Sequence, residues 1–460
     1  MLDAKKTEIF ETMPIPKAVA KLGIPTIISC LVMVLYNLAD TYFVGLINVP
    51  AQTAAVTFAA PVLLAFNAVN NLFGTGCSSL MSRALGSKDY DTVKRTSAFG
   101  FYSAVIFGLL FSLSSVIFQP GLLELLGVDT EAELATKQYM LWTVTLGAAP
   151  AILNVVLSFM IRAEGSSAQA SIGVISGCVL NVILDPIFIL PWGLNMGAAG
   201  AGCATFISNC AACLYFFFFL IKNRKSTFVS INPRLFGFRK AIILGTFAVG
   251  IPAAIQNLLN VTGMTVLNNL TAPFGTAAVA AMGITHKVNM VPMYISMGLG
   301  QGIMPLVGYN YSCGNAERMK KSIVFTLKLT VIFIVAASAL YFAFSDGIIR
   351  LFMKDAYIVS FGGSFLRGFC LGLPFLAVDF LAVGIFQAVG MGRESLIFAI
   401  LRKVALEIPA LVILNRIWPL YGMAYSQLVA ELVLCGAAIF VLRRLFRRVE
   451  GNQQSKLQEN

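Results

Sequence analysis

Charged residues are scarce in this chain: 12% of its 460 positions, where soluble domains carry about 25%. With 58% hydrophobic residues and a mean hydropathy of +0.82, that scarcity excludes a soluble globular domain and points to a protein that crosses a membrane many times. Histidine occurs once, and there is no P-loop and no H-E-x-x-H. Gly298-x-Gly300-x-x-Ile303 lies outside any strand-to-helix context and reads as helix packing. These absences exclude the common soluble-enzyme constellations and an ATP-driven pump, so the chain is expected not to be an enzyme and to need no cofactor; any pumping draws on an ion gradient. The nine cysteines lie mostly in apolar runs, where they act as small hydrophobes, and Cys210-x-x-Cys213 falls in mid-helix without a second pair, which favours packing over metal or redox chemistry.

What is present is a succession of apolar runs, each long enough for the roughly 20 residues a spanning helix needs. Twelve can be counted: 18–47, 52–82, 96–118, 138–161, 168–190, 197–221, 241–270, 276–308, 322–345, 360–388, 395–415 and 422–442. The first lacks a small-residue cleavage site and reads as a retained span. Pro25, Pro61, Pro150, Pro186, Pro252, Pro292, Pro374 and Pro409 are the expected kink sites. Placing the amino terminus inside gathers most of the 33 basic residues on one side: Lys17 and Lys21; Arg83, Lys88, Lys94 and Arg95; six between Lys222 and Lys240; Arg318, Lys320 and Lys321; Arg393, Arg402 and Lys403; and Arg443 to Arg448. Both termini are therefore expected in the cytoplasm of a multi-pass protein, and the net charge of +12 reads as topology, with no nucleic-acid partner.

The halves echo each other. Gly23-Ile24-Pro25 recurs as Gly250-Ile251-Pro252, Gly74-x-Gly76 as Gly300-x-Gly302, Ala149-Pro150 as Leu373-Pro374, Ala163-x-Gly165 as Ala388-x-Gly390 and Trp192 as Trp418, all at offsets of 224 to 227. Six spans per half is an even number, so the repeat is parallel, about an axis along the membrane normal. The expected fold is an all-α polytopic membrane protein of twelve transmembrane helices in two six-helix bundles: 1–221, a cytoplasmic linker 222–240, 241–446, and a cytoplasmic tail 447–460.

An aspartate inside an apolar span costs about 2.5 to 3.5 kcal/mol and marks a functional position by default. Asp40 shares a helical face with Tyr36 and Asn37, and Asp185 with Asn181; Asp185 also precedes Pro186, where backbone groups are freed. A carboxyl in such a place can take up a proton or cation from one side and release it to the other. Asn154, Asn181 and Thr205 can complete a polar network, though each can equally be interhelical packing glue. In the second half Asp379 and Glu431 have no sequence-local partner, and Glu407 follows Lys403 by four residues, the spacing of an intrahelical ion pair. His286 is a proton-relay candidate. Tyr36, Asn37, Asn154, Met160, His286, Met293 and Asp379 are candidate lining for an adaptable substrate cavity, with ordinary packing the competing reading for the methionines and aromatics.

Tyr36-Asn37-Leu38-Ala39-Asp40-Thr41-Tyr42-Phe43-Val44-Gly45, Arg162-Ala163-Glu164-Gly165, Asn181-x-x-x-Asp185-Pro186 and the paired Gly-Ile-Pro motifs resemble the MATE (multidrug and toxic compound extrusion) family over nearly the whole chain, and are most similar to its MepA-like bacterial branch. The resemblance implies a bacterial plasma-membrane exporter of amphipathic, mainly cationic small molecules, working as a monomer among membrane lipids by antiport of H+ or Na+. It implies that Asp40 is the coupling carboxylate, with Asn181, Asp185 and Thr205 around it, and that any sodium would sit at Asp40, Asn181 and Asp185. Where some relatives carry a glutamate in the seventh span, this chain offers Asn260, which tilts coupling toward the first half. A flippase for a lipid-linked saccharide, from the same superfamily, is the alternative; it calls for a more cationic cavity than these spans offer. A major-facilitator carrier also has twelve spans, but residues 83–95 lack that group's Gly-x-x-x-Asp-Arg pattern. An intramembrane enzyme or receptor is the reading outside transport.

Overall fold

In hydrocarbon every backbone N–H and C=O must be paired within its own segment, so apolar runs of this length fold as helices. The computed structural model describes residues 2–459, and no strand occurs among them. A short α1 (Leu2–Glu11) precedes the first long helix, α2 (Ile15–Gly45). Next come α3 (Pro50–Asn70) and α4 (Gly76–Gly86), joined through a π-helical turn at Asn71–Thr75, then α5 (Tyr90–Ile117) and the short α6 (Gln119–Leu125). A second π segment, Leu141–Leu146, links α7 (Glu133–Met140) to α8 (Ala148–Ala163), followed by α9 (Ser167–Ile189) and α10 (Ala198–Lys222). The second half holds α11 (Lys240–Thr271), α12 (Thr276–Ser312), α13 (Ala316–Arg350), α14 (Ala356–Ala388), α15 (Gly392–Ile400), a third π segment at Leu401–Glu407, α16 (Ile408–Ile417) and α17 (Ser426–Glu459).

Among the described residues nine helices are long and apolar enough to cross a membrane, or ten when the pair α7–α8, bent by 47°, counts as one span. Two of the π segments have a local cause. Proline lacks an N–H, and its ring crowds the carbonyl four residues earlier. Pro150 stands four residues after Leu146 and Pro409 four after Ala405, so each widens the turn before it into a π segment. Pro25, Pro61, Pro186, Pro252, Pro292 and Pro374 lie inside helices that continue through them. A break the prolines do not signal is at Phe344 in α13, with φ −112° and ψ 21°.

Contacts divide the chain into two compact units, one of residues up to Glu8 with Ile28–Ala254, the other of Ile9–Ile27 with Ile255 onward. The repeated glycines explain this unusual division. In the first unit a Cβ on Gly250 of α11 would strike the Leu72 carbonyl, and one on Gly76 of α4 would strike that of Thr246. In the second, a Cβ on Gly302 of α12 would lie 2.8 Å from Gly23 Cα on α2. Both landmark pairs are thus helix crossings at backbone contact, which only glycine permits.

The first unit also holds residues 223–239 in place. Glu164 accepts hydrogen bonds from the Thr227 hydroxyl (2.9 Å) and the Phe228 N–H (2.7 Å), and Tyr102 donates to the Ile231 carbonyl at 2.9 Å. In the second unit the last carbonyls of α1 have no helical partner. Arg318 supplies one, donating to the carbonyls of Phe10 and Met13.

Candidate functional site

In the first unit, helical spacing sets Tyr36, Asn37 and Asp40 on one face of α2. That face opens onto a cavity of about 190 Å3, whose wall is completed by Leu63 and Phe66 of α3, Tyr139, Thr143, and Thr205 and Asn209 of α10. Asp40 is the one charged residue lining it. Asn37 donates to the Met33 carbonyl of its own helix at 2.8 Å.

Behind the cavity wall, α9 carries Asn181 and Asp185 at i and i+4, both fully buried. In the amide orientation that pairs both its ends, Asn181 donates to Asp185 Oδ2 at 2.9 Å and accepts from the Thr205 backbone N–H at 3.1 Å. Asp185 Oδ1 has no hydrogen-bond partner. Asn154 of α8 donates to Asn209 Oδ1 at 2.8 Å, tying a further helix to the cavity wall. Asp40, Tyr139 and Asp185 are within electrostatic reach of one another. Two carboxylates in one apolar enclosure repel when both are ionised, and a cation entering the cavity relieves that repulsion. The four first-half candidates, Asp40, Asn181, Asp185 and Thr205, therefore converge.

The second unit has an ionic cluster of different make. Asp379 of α14 and Glu431 of α17 are 1% and 0% exposed, and between them lies Arg402, 5% exposed at its side chain. Arg402 Nε is 2.6 Å from Glu431 Oε1, Nη1 is 3.8 Å from Asp379 Oδ2, and the guanidinium stacks 4.4 Å from the centre of the Phe380 ring. Lys403 donates to Glu407 at 2.6 Å, the expected intrahelical pair, and its ammonium lies against Gly263 of α11. His286 of α12 is within electrostatic reach of Lys403 and Glu407, which places it beside this cluster.

Met160 of α8 is fully buried with its sulfur against Gly100 of α5, and packs as core without lining the first-unit cavity. Met293 is half-buried on α12. Counting Arg402 among cytoplasmic loop charges was wrong, because the π segment before Pro409 carries it into the interior. Sequence reasoning missed Tyr139, Thr143 and Asn209; nothing but helical phase distinguishes them from packing residues. Arg402 had a signal, since it stands inside the run 395–415. All nine cysteines are free.

The comparisons agree with one another. The family model MatE matches the chain twice, over residues 25–187 and 252–413. The multidrug export protein MepA of Staphylococcus aureus (strain NCTC 8325 / PS 47) is 35% identical over 440 residues, 95% of each chain, and MepA of Staphylococcus haemolyticus (strain JCSC1435) is 33% identical over 452 residues, 98% of each. Among solved structures, an outward-facing multidrug resistance MATE transporter of the MOP superfamily superposes with a TM-score of 0.90 at 24% identity, covering 97% of this chain and 99% of that one. A MATE structure in the bent conformation gives 0.88 at 25% identity, covering 98% and 99%. Matched by the family model over most of its length and by these relatives from end to end, the chain belongs to the MATE family.

Proposed function

We propose that this protein is a secondary active multidrug exporter of the bacterial plasma membrane, which exchanges amphipathic, mainly cationic compounds for H+ or Na+ by alternating access. The observation that carries the reading is the first-unit cavity: one carboxylate, no basic residue, and walls of Tyr, Phe, Leu and Val side chains. Such a surface takes a flat lipophilic cation by charge and by contact with aromatic faces. The same absence of basic residues opposes a lipid-linked pyrophosphate. Relatives named as multidrug export proteins support the transport class and speak against an enzyme.

The full topology also belongs to this proposal. The runs α15–α16 and α17 serve as the eleventh and twelfth spans, both termini lie in the cytoplasm, and the two matches to one family model, beginning at Pro25 and Pro252, support bundles 1–221 and 241–446, joined by a 222–240 linker and followed by the tail 447–460. The chain works as a monomer in the lipid. In the inward-open state ionised Asp40, with Asp185 behind it, attracts the drug; on the outer side a proton or sodium ion neutralises the carboxylates, and losing a charge contact worth about 1.4 kcal/mol weakens the drug about tenfold.

The test is ion and ethidium flux in proteoliposomes. The parent protein is expected to move dye against an imposed proton or sodium gradient and Asp40→Asn to fold but not couple; coupling retained in Asp40→Asn overturns the assignment.

A further inference from the structure

The second unit contains more ionisable groups than the exporter reading uses. Taken as ionised, Asp379, Glu407 and Glu431 bring three negative charges, and Arg402 and Lys403 two positive ones. Lys403 is committed to Glu407 at 2.6 Å, which leaves one guanidinium between two carboxylates, all within a few per cent of full burial. Asp379 Oδ1 and Glu431 Oε2 have no hydrogen-bond partner, and neither does Arg402 Nη1. Arg402 Nε lies 2.6 Å from Glu431 Oε1, so Glu431 Oε2 and Asp379 Oδ1 are the oxygens left open. An uncompensated buried charge costs several kcal/mol, so the surplus charge needs a counter-ion inside the cluster.

We propose that the counter-ion is a single proton shared between Asp379 and Glu431, and that Arg402 makes this centre selective for H+ over Na+. A sodium ion needs a shell of oxygen ligands, as hard cations do. Here the space beside the carboxylates is taken by the guanidinium and the Phe380 ring, and the adjacent Lys403, whose ammonium is held on Glu407, adds a positive charge within electrostatic reach of Glu431. A proton needs no shell; it adds to one carboxylate oxygen and supplies the donor that the orphaned oxygens lack. The groups facing the centre are Lys403 and Glu407 in the π segment, Cys435 on α17 and His286 on α12, within reach of Lys403. The π segment gives the centre a means to respond, since adding or removing the proton changes which carboxylate Arg402 must hold. This site deepens the exporter reading by adding a proton carrier in the second unit, while its chemistry stands without Asp40.

The test is infrared difference spectroscopy of the purified full-length protein in nanodiscs, stepped from acid to neutral pH with and without sodium. The expected result is a protonated-carboxyl C=O band that titrates, is lost or shifted in both Asp379→Asn and Glu431→Gln, persists in Asp40→Asn and is unmoved by sodium. Should a variant fail to fold, carbon-13 labelling of glutamate carboxyls in the unsubstituted protein replaces it, and the band must shift in part. A band unaltered by both variants or by the label overturns the proposal, as does one that sodium abolishes. Failure of the exporter reading would show separately, as uncoupled flux with this band intact.

Discussion

The two units carry polar centres of opposite design. In the first, Asp40 and Asp185 sit among amides and hydroxyls, beside a cavity with no cation in its wall. In the second, Asp379, Glu407 and Glu431 are knitted to Arg402 and Lys403. The proposed repeat aligns them: at offsets of 225 or 226, Asn154 answers Asp379, Asn181 answers Glu407, and Thr205 answers Glu431. Ser176 answers Arg402, and Asp40, at 227, answers Leu267. In that alignment three positions that are neutral in the first half are acidic in the second, an arginine stands opposite Ser176, and a leucine stands opposite Asp40. On the proposed reading, one frame thus supports a centre whose counter-charge must come wholly from outside and one whose guanidinium already supplies part of it. The difference teaches that burial of a carboxylate does not by itself make a binding site; what decides is whether the protein already provides the counter-charge.

The largest expected effect strikes that counter-charge. Arg402→Ala leaves two buried carboxylates facing each other and is expected to cost about 3–5 kcal/mol, the usual penalty for removing one member of a buried pair. Thermal unfolding in detergent reads it. Arg402→Ala with Glu431→Gln removes the opposing charge as well and is expected to recover a large part of the loss, because the two sites are in contact and their effects are not additive. In the first unit Asp40→Asn has no such partner to orphan and is expected to leave stability nearly unchanged while uncoupling transport. If Arg402→Ala proves as mild as Asp40→Asn, the two centres are not different in kind.

A smaller effect is expected from Asn181→Leu. The substitution removes the donor to Asp185 Oδ2, leaving that buried oxygen without its partner at a cost of about 1–3 kcal/mol, and unties α9 from the Thr205 backbone, whose N–H keeps its helical acceptor. Because Asp185 then lacks a donor at either oxygen, ion-coupled flux is expected to fall together with stability. Stability lost with flux per folded molecule retained would make Asn181 interhelical packing glue.

How far these centres could be read in advance differs in the same way. Tyr36, Asn37, Asp40, Asn181 and Asp185 were legible because a polar residue in an apolar run has to be explained, and helical phase then groups its neighbours. The close crossings at Gly23, Gly76, Gly250 and Gly302 were visible as repeated landmarks, but their partners were not, since contact between distant helices leaves no local trace in the chain. Arg402 was misread because basic residues were counted as loop markers. The π segment that turns it inward arises from Pro409, seven positions on, and regular 3.6-residue phase does not anticipate it. Tyr139, Thr143 and Asn209 are ordinary residues for a membrane helix and become cavity wall through tertiary arrangement alone.

The smallest effect belongs to Asn37 and sharpens the comparison most finely. Its amide donates to the Met33 carbonyl of its own helix, its side chain is exposed to the cavity, and it touches neither carboxylate network by hydrogen bond. Asn37→Ala is expected to change stability by less than about 0.5 kcal/mol, the range of substitutions away from buried features. It should leave the ion dependence of flux intact, because Asp40, Asn181 and Asp185 keep their surroundings. What it alters is the cavity wall one helical turn from Asp40, so the expected change is in the apparent affinity for individual drugs, by different factors for compounds of different shape. Equal shifts for every compound would instead mean that Asn37 acts through Asp40, and the open centre would then be a connected network like the closed one.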